Sequence, residues 1–129
     1  MPNAQIEVRR RYSPEEEEQV IAAVHAALME GIKTPEWDRT IRLVAHEPHR
    51  FAAPPGRGDR YTLVDIDLFT GRSLEAKRAL YQALIRNLGK LGIPADHVKV
   101  LLRESAAENW GVRGGVPASE VDLGFKVDV

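Results

Sequence analysis

Four residues in this sequence have types and positions suited to a proton-transfer site: Pro2, Asp38, Arg72 and Trp110. The chain opens Met1-Pro2. Methionine aminopeptidase removes Met1 when a small residue follows, and proline qualifies. Removal leaves Pro2 with a free secondary amine. An α-amino group titrates near ~8. Burial or a nearby cation lowers that value towards a general base, and a carboxylate raises it towards a general acid. If Met1 stays attached, the nitrogen is an amide and carries no proton.

Arg72 stands just after a candidate strand and just before a candidate helix. Helix N-termini favour anions, and a guanidinium there suits a substrate carboxylate. Asp38 precedes another strand, where a carboxylate can orient a water or share a proton with Pro2. Trp110, in Glu108-Asn109-Trp110-Gly111, offers a flat apolar wall. Each also has a purely structural reading: Asp38 paired with Arg39, Arg72 a surface cation, Trp110 part of a core. His46-Glu47-Pro48-His49 resembles a metal set, but Pro48 interrupts it and no further histidine is close, so no metal is expected.

The elements that must position these groups follow from periodicity. Ala4, Ile6 and Val8 alternate with Gln5, Glu7 and Arg9, which predicts a half-buried strand over 3–9 starting directly after Pro2. Arg9-Arg10-Arg11 reads as its solvated exit. Ser13-Pro14-Glu15-Glu16 is a helix start with a capping box, and the acidic run Glu15 to Glu18 suits the positive helix end. Val20, Val24, Ala27, Leu28 and Ile32 follow at helical spacing until Gly31 and Pro35 end the run, with His25 an ordinary mid-helix histidine. Thr40 to Val44 is a second strand. Residues 48–60, rich in Pro, Gly and Arg, form a loop long enough to suggest a pocket wall or lid.

The plan then repeats. Tyr61 to Leu68 is a third strand, Ser73 caps a second helix without an acidic partner at Ala76, Gly92 and Pro94 end it, and His97 to Leu102 is a fourth strand. Ser13 to Ser73 and Pro35 to Pro94 recur at nearly the same spacing, which marks a duplicated unit. A strand joined to the next through a helix pairs with it in parallel. The expectation is an α+β domain: two βαβ units, about 2–47 and 61–104, forming a four-stranded mixed sheet with both helices on one face. The other face lacks a cover. Val121, Leu123, Phe125, Val127 and Val129 alternate, so the tail 105–129 is expected to end in a strand that pairs with a neighbouring subunit, or else folds back on its own sheet. Bare face and tail together predict a symmetric homo-oligomer.

Composition narrows the class. Of 129 residues, 43% are hydrophobic and 29% charged, as in an ordinary globular domain. Lys plus Arg is 18 against 19 for Asp plus Glu, which argues against a nucleic-acid partner. There is no cysteine, hence no thiolate nucleophile or disulfide. No apolar run approaches the ~20 residues of a membrane span, and the first residues carry no signal-peptide core. A cytoplasmic, cofactor-independent protein is expected.

With these residues in place the chain resembles the tautomerase superfamily, the group of 4-oxalocrotonate tautomerase and macrophage migration inhibitory factor. Within it, the chain is most similar to the malonate semialdehyde decarboxylase-like branch. Four features carry the resemblance over about residues 2–115: Pro2 behind the initiator, Pro35-Glu36-Trp37-Asp38-Arg39, Phe69-Thr70-Gly71-Arg72-Ser73, and Glu108-Asn109-Trp110. The resemblance implies a βαβ repeat, a homotrimer with sites near subunit interfaces, and no cofactor. It places Pro2, Asp38 and Arg72 on the catalytic proline, acid and carboxylate-binding arginine, with Trp110 beside the substrate. The decarboxylases look to carry a second arginine two residues earlier. Here Thr70 takes that substrate-binding place, which puts decarboxylation in doubt unless Arg57 or Arg60 substitutes. The expected activity is keto–enol tautomerisation of a small 2-oxo or enol carboxylic acid. The runner-up is decarboxylation or hydration with cationic Pro2 as acid and Asp38 activating water. A non-catalytic oligomeric binding protein is the reading of another class.

Overall fold

Strand β1, Asn3–Val8, alternates half-buried and buried residues along its length, as its sequence alternates. The computed structural model describes residues 2–129; Met1, and with it the expected loss of the initiator, lies outside them. After β1 come helix α1 (Pro14–Ile32), β2 (Ile41–Ala45), β3 (Thr62–Phe69), helix α2 (Leu74–Gly89) and β4 (Val98–Ser105). The sheet order is β2-β1-β3-β4. β1 runs parallel to β2 and β3 parallel to β4, while β1 and β3 are antiparallel. Each parallel pair is bridged by its helix, so two βαβ units meet back to back along β1 and β3.

Local chemistry sets the helix ends. Glu16 N donates to Ser13 Oγ (3.1 Å) and Ser13 N to Glu16 Oε1 (3.0 Å), closing the capping box on α1. Lys33, at φ 61°, terminates α1. α2 has only half of this arrangement, Ala76 N donating to Ser73 Oγ at 3.1 Å. Both helices cover one sheet face. Ile6, Val8, Val64, Ile66 and Leu68 from the sheet bury against Val20, Val24, Leu28, Leu80, Leu84 and Leu88. The helices touch most closely at Gly31, where an added Cβ would lie 2.5 Å from Leu80 Cα.

The opposite sheet face is polar rather than bare. Arg103 Nη2 pairs with Asp65 (2.9 Å), Arg42 Nη2 donates to Gln5 (3.1 Å), and His46 Nε2 meets Glu7 (2.9 Å). Leu101 and Val44 are the large exposed apolar side chains on it.

The loop 48–60 forms a pocket wall, Phe51, Ala52, Ala53 and Pro54 lining a cavity with Tyr61, Leu63 and Lys99, but not beside Pro2. It joins the far ends of β2 and β3, and Arg9 holds it there: Nε donates to Phe51 O (2.7 Å) and Nη1 to Gly58 O (2.9 Å). Arg9 is thus a tether and not part of a solvated exit. Arg57 is held at the same end by Asp96 O (2.6 Å), and Arg60 lies beside Gly92, so within one chain neither stands in for a second arginine near Arg72. The tail differs as well. Beyond β4 it forms a short hairpin, β5 (Gly111–Val112) and β6 (Val116–Pro117), and residues 121–129 are irregular, not a strand. Gly124 takes φ 78°, and its N–H donates to Asp122 Oδ1 (2.9 Å), a local turn that interrupts the extended run.

Candidate functional site

The register of the sheet converts sequence positions into neighbours. Ala4 pairs with Ile41, and Ala4 N donates to Thr40 O at 3.0 Å. Two residues back along the parallel pair, Pro2 comes level with Arg39, next to Asp38. On its other side β1 pairs Asn3 with Asp67, which puts Pro2 opposite Leu68, one residue from the end of β3. Pro2 is buried there. The turn that follows β3 supplies Arg72.

Asp38 is buried at the end of a turn, with its N–H donating to Pro35 O (3.1 Å). That turn is anchored from α1 by His25, which is buried and whose Nε2 donates to Glu36 O (3.0 Å). His25 is therefore more than an ordinary helix residue: it fixes the segment that leads into Asp38. Alternating polarity had no means to reveal this, because the bond crosses from helix to turn.

Arg72 is only 6% exposed. Its Nη1 donates to Phe69 O at 3.1 Å, while buried Nε and Nη2 have no hydrogen-bond partner among the described residues. Burial lowers the arginine's pKa from its ordinary value; Glu104 and Asp38 act in the opposite direction. Arginine stays cationic at any working pH. Buried donors without acceptors are costly, so two N–H directions on one cation mark a place for an anion. Glu104 was not singled out from the sequence. It sits near the end of β4 opposite Leu68 and is held by Lys77 Nζ at 2.6 Å.

Trp110 lies against the same turn. Its ring meets Phe69 edge-on, centroids 4.9 Å apart, and Nε1 donates to Ser105 Oγ (2.8 Å). Phe69 is buried and links the tryptophan to Arg72, whose Nη1 it receives. Thr70 is exposed, its N–H donating to Ser105 O (3.1 Å). Thus Pro2, Asp38 and Arg72 converge at one end of the sheet, Trp110 adjoins them through Phe69, and Thr70 faces solvent. His46 is engaged by Glu7 and lies edge-on to Phe51. Among the described residues no three His, Asp or Glu side chains converge to hold a metal ion. No helix among them is long and apolar enough to cross a membrane.

Fold and site together define a doubled βαβ protein with an acid and a buried guanidinium flanking the start of its first strand. A family model described as "Tautomerase enzyme" matches residues 38–113, and the chain belongs to this tautomerase family. A probable tautomerase of Ralstonia nicotianae is 41% identical over 58 residues, covering 44% of this chain and 81% of that protein. Among solved structures, a malonate semialdehyde decarboxylase superposes with a TM-score of 0.81 at 24% identity, over 87% of this chain and 92% of that one. That structural work covers the wild type, a variant with alanine in place of the first proline, and an inactivated form, and concerns decarboxylase and hydratase activities. A fused 4-OT, a symmetric trimer, matches with a TM-score of 0.70 at 26% identity, over 90% and 95% of the two chains.

Proposed function

We propose that this protein is a cofactor-independent keto–enol tautomerase acting on a small 2-oxo or enol carboxylic acid. The amine of Pro2, freed when Met1 is removed, is the general base. The observation that carries this reading is Arg72: a buried cation with two donors unpartnered among the described residues, at the same end of the sheet as Pro2 and Asp38. In the proposed step the substrate carboxylate binds the Nε and Nη2 donors. Neutral Pro2 takes the enol O–H proton; the oxygen lone pair closes to the ketone, and the same proton is delivered to the β-carbon. Arg72 stabilises the charge that develops on the substrate, and placed proton transfer contributes ~10²–10⁴-fold. Phe69 and Trp110 form the apolar wall, and exposed Thr70 takes part at the rim.

Asp38 favours a second reading. Its carboxylate is close enough to act on Arg72, and a carboxylate beside Pro2 favours the ammonium form. Cationic Pro2 as acid, with Asp38 activating water, gives hydration or decarboxylation, the activities named for the structural relative above. We further propose a homotrimer, as in the fused 4-OT relative, in which the polar sheet face with exposed Leu101 lies towards the other subunits. The same reading places the protein in the cytoplasm, where the initiator is trimmed.

The test is turnover of phenylenolpyruvate, with intact-protein mass recorded on the same sample. The expected result is a chain lacking Met1 that ketonises the enol. Binding of 2-oxo acids without enol consumption overturns the enzyme reading in favour of a non-catalytic binding protein. Active protein that retains Met1 overturns the role of Pro2.

A further inference from the structure

A second carboxylate, Glu104, stands beside Arg72 and is bonded elsewhere. Glu104 pairs with Leu68 across β3 and β4, and the next pair along is Phe69 with Ser105. Phe69 is the residue whose carbonyl oxygen receives Arg72 Nη1. Register therefore puts Glu104 one step from the point that anchors the guanidinium. Leu68 is buried against the helices, and Glu104, level with it, shares that face of the sheet. Lys77 meets it there from α2. Its N–H makes the first backbone bond of the helix, to Ser73 O (3.1 Å), and its Nζ donates to Glu104 Oε1 at 2.6 Å. The ion pair is partly shielded, with 22% of the lysine side chain and 30% of the glutamate exposed. Burial lowers the Arg72 pKa, and Glu104, ahead of Asp38, opposes it, so Glu104 lies within the field of the guanidinium.

We infer that Lys77 is a positioning residue for the site: by holding Glu104 it keeps that carboxylate off Arg72 and leaves Nε and Nη2 to the substrate. The inference rests on the function proposed above, in which those donors take a substrate carboxylate, and it adds the pair that keeps them open. An internal carboxylate is a strong competitor. It reaches the guanidinium without giving up the translational freedom that a substrate must lose, and its two oxygens match two parallel N–H donors. Lys77 removes that competitor with a charge-assisted bond of its own. Without Lys77, Glu104 has few alternatives. Arg103, its neighbour on β4, is bound on the other face of the sheet by Asp65 at 2.9 Å. Arg72, cationic and with two donors unpartnered among the described residues, is the partner left beside it.

The experiment measures pyruvate binding by calorimetry on the full chain, Lys77→Met, Lys77→Arg, Glu104→Gln and the double variant Lys77→Met/Glu104→Gln. Lys77→Met is expected to weaken binding about tenfold or more, the scale on which members of one ion-pair network couple. Lys77→Arg keeps the pair and should bind like the parent. Glu104→Gln should bind at least as tightly as the parent, and in the double variant it should restore what Lys77→Met lost, because an amide does not compete as an anion. A crystal structure of Lys77→Met is expected to show Glu104 bonded to Arg72. Unchanged binding in Lys77→Met, a double variant as weak as Lys77→Met, or a Glu104 that stays away from Arg72 in that structure each overturns the inference. A pair that only stabilises the start of α2 gives the second of these results. If the binding pattern holds while no enol is consumed, the tautomerase reading fails and this inference stands. If enol is consumed while Lys77→Met binds like the parent, only this inference fails. A full chain that binds no pyruvate overturns both.

Discussion

Arg72 donates Nη1 to the carbonyl oxygen of Phe69 at 3.1 Å and leaves two other buried donors directed elsewhere. One bond fixes the guanidinium to the end of β3, and the proposed function assigns the remaining donors to a substrate carboxylate.

Replacing Arg72 is expected to act mainly on substrate binding. Losing one partner of a buried charge pair costs about 2–5 kcal/mol, which corresponds to roughly 30- to several-thousand-fold in kcat/KM. Arg72→Ala should show this as a raised KM. Arg72→Lys should recover little, because an ammonium cannot both hold Phe69 O and present two parallel donors. Steady-state kinetics of enol turnover on the two variants check this.

His25 is expected to act on Asp38 from a distance. His25→Ala removes the bond to Glu36 O and opens space in α1, at a cost of about 1–3 kcal/mol. Amide exchange gives the specific readout: the Asp38 N–H, bonded to Pro35 O, should lose protection more than amides of the sheet core. Equal loss everywhere contradicts a positioning role.

The α1 start gives a pH prediction. The Ser13 backbone and side chain lower the pKa of Glu16 below its ordinary value. A carboxyl with a depressed folded-state pKa adds stability that is present above its unfolded value and disappears as pH falls through the folded value. Stability measured by denaturant should therefore decline below the ordinary glutamate range. Ser13→Ala should cost about 1 kcal/mol near neutrality and flatten that decline, since the cap and its proton linkage vanish together.

Gly31→Ala tests the contact between the helices. Helix propensity alone favours alanine by ~1 kcal/mol. The added Cβ, 2.5 Å from Leu80 Cα, meets backbone that cannot turn aside, and overpacking of this kind costs about 1–3 kcal/mol. Sterics should win, and the melting temperature should fall. A rise contradicts the close approach.

Most of the fold could be read from the chain because its signals are local. Alternation in 3–9, the Ser13 box and the proline stops each act within a few residues, and the repeat then dictates the parallel pairs. The convergence of Pro2, Asp38 and Arg72 was legible only as expectation. It depends on β1 lying between β2 and β3 with Ala4 level with both Ile41 and Ile66. Polarity patterns do not encode register. The loop 48–60 lines a cavity, as its length suggested, but where that cavity lies is set by Arg9, which reaches across from the end of β1. The tail misled because strict alternation outweighed one residue: Gly124, with the Asp122 turn, bends an otherwise strand-like segment onto the Trp37 and Gly71 turns.

The central claim is that the nitrogen of Pro2 carries the proton as a neutral base. It is tested most directly by the pH–rate profile of phenylenolpyruvate ketonisation on the full chain and on Pro2→Ala. The account predicts that activity rises with pH through a single ionisation below the ordinary amine value. It also predicts a loss of about 10²–10⁴-fold in Pro2→Ala. Activity that is highest at low pH and falls as the amine loses its proton, or a variant as fast as the parent, contradicts it.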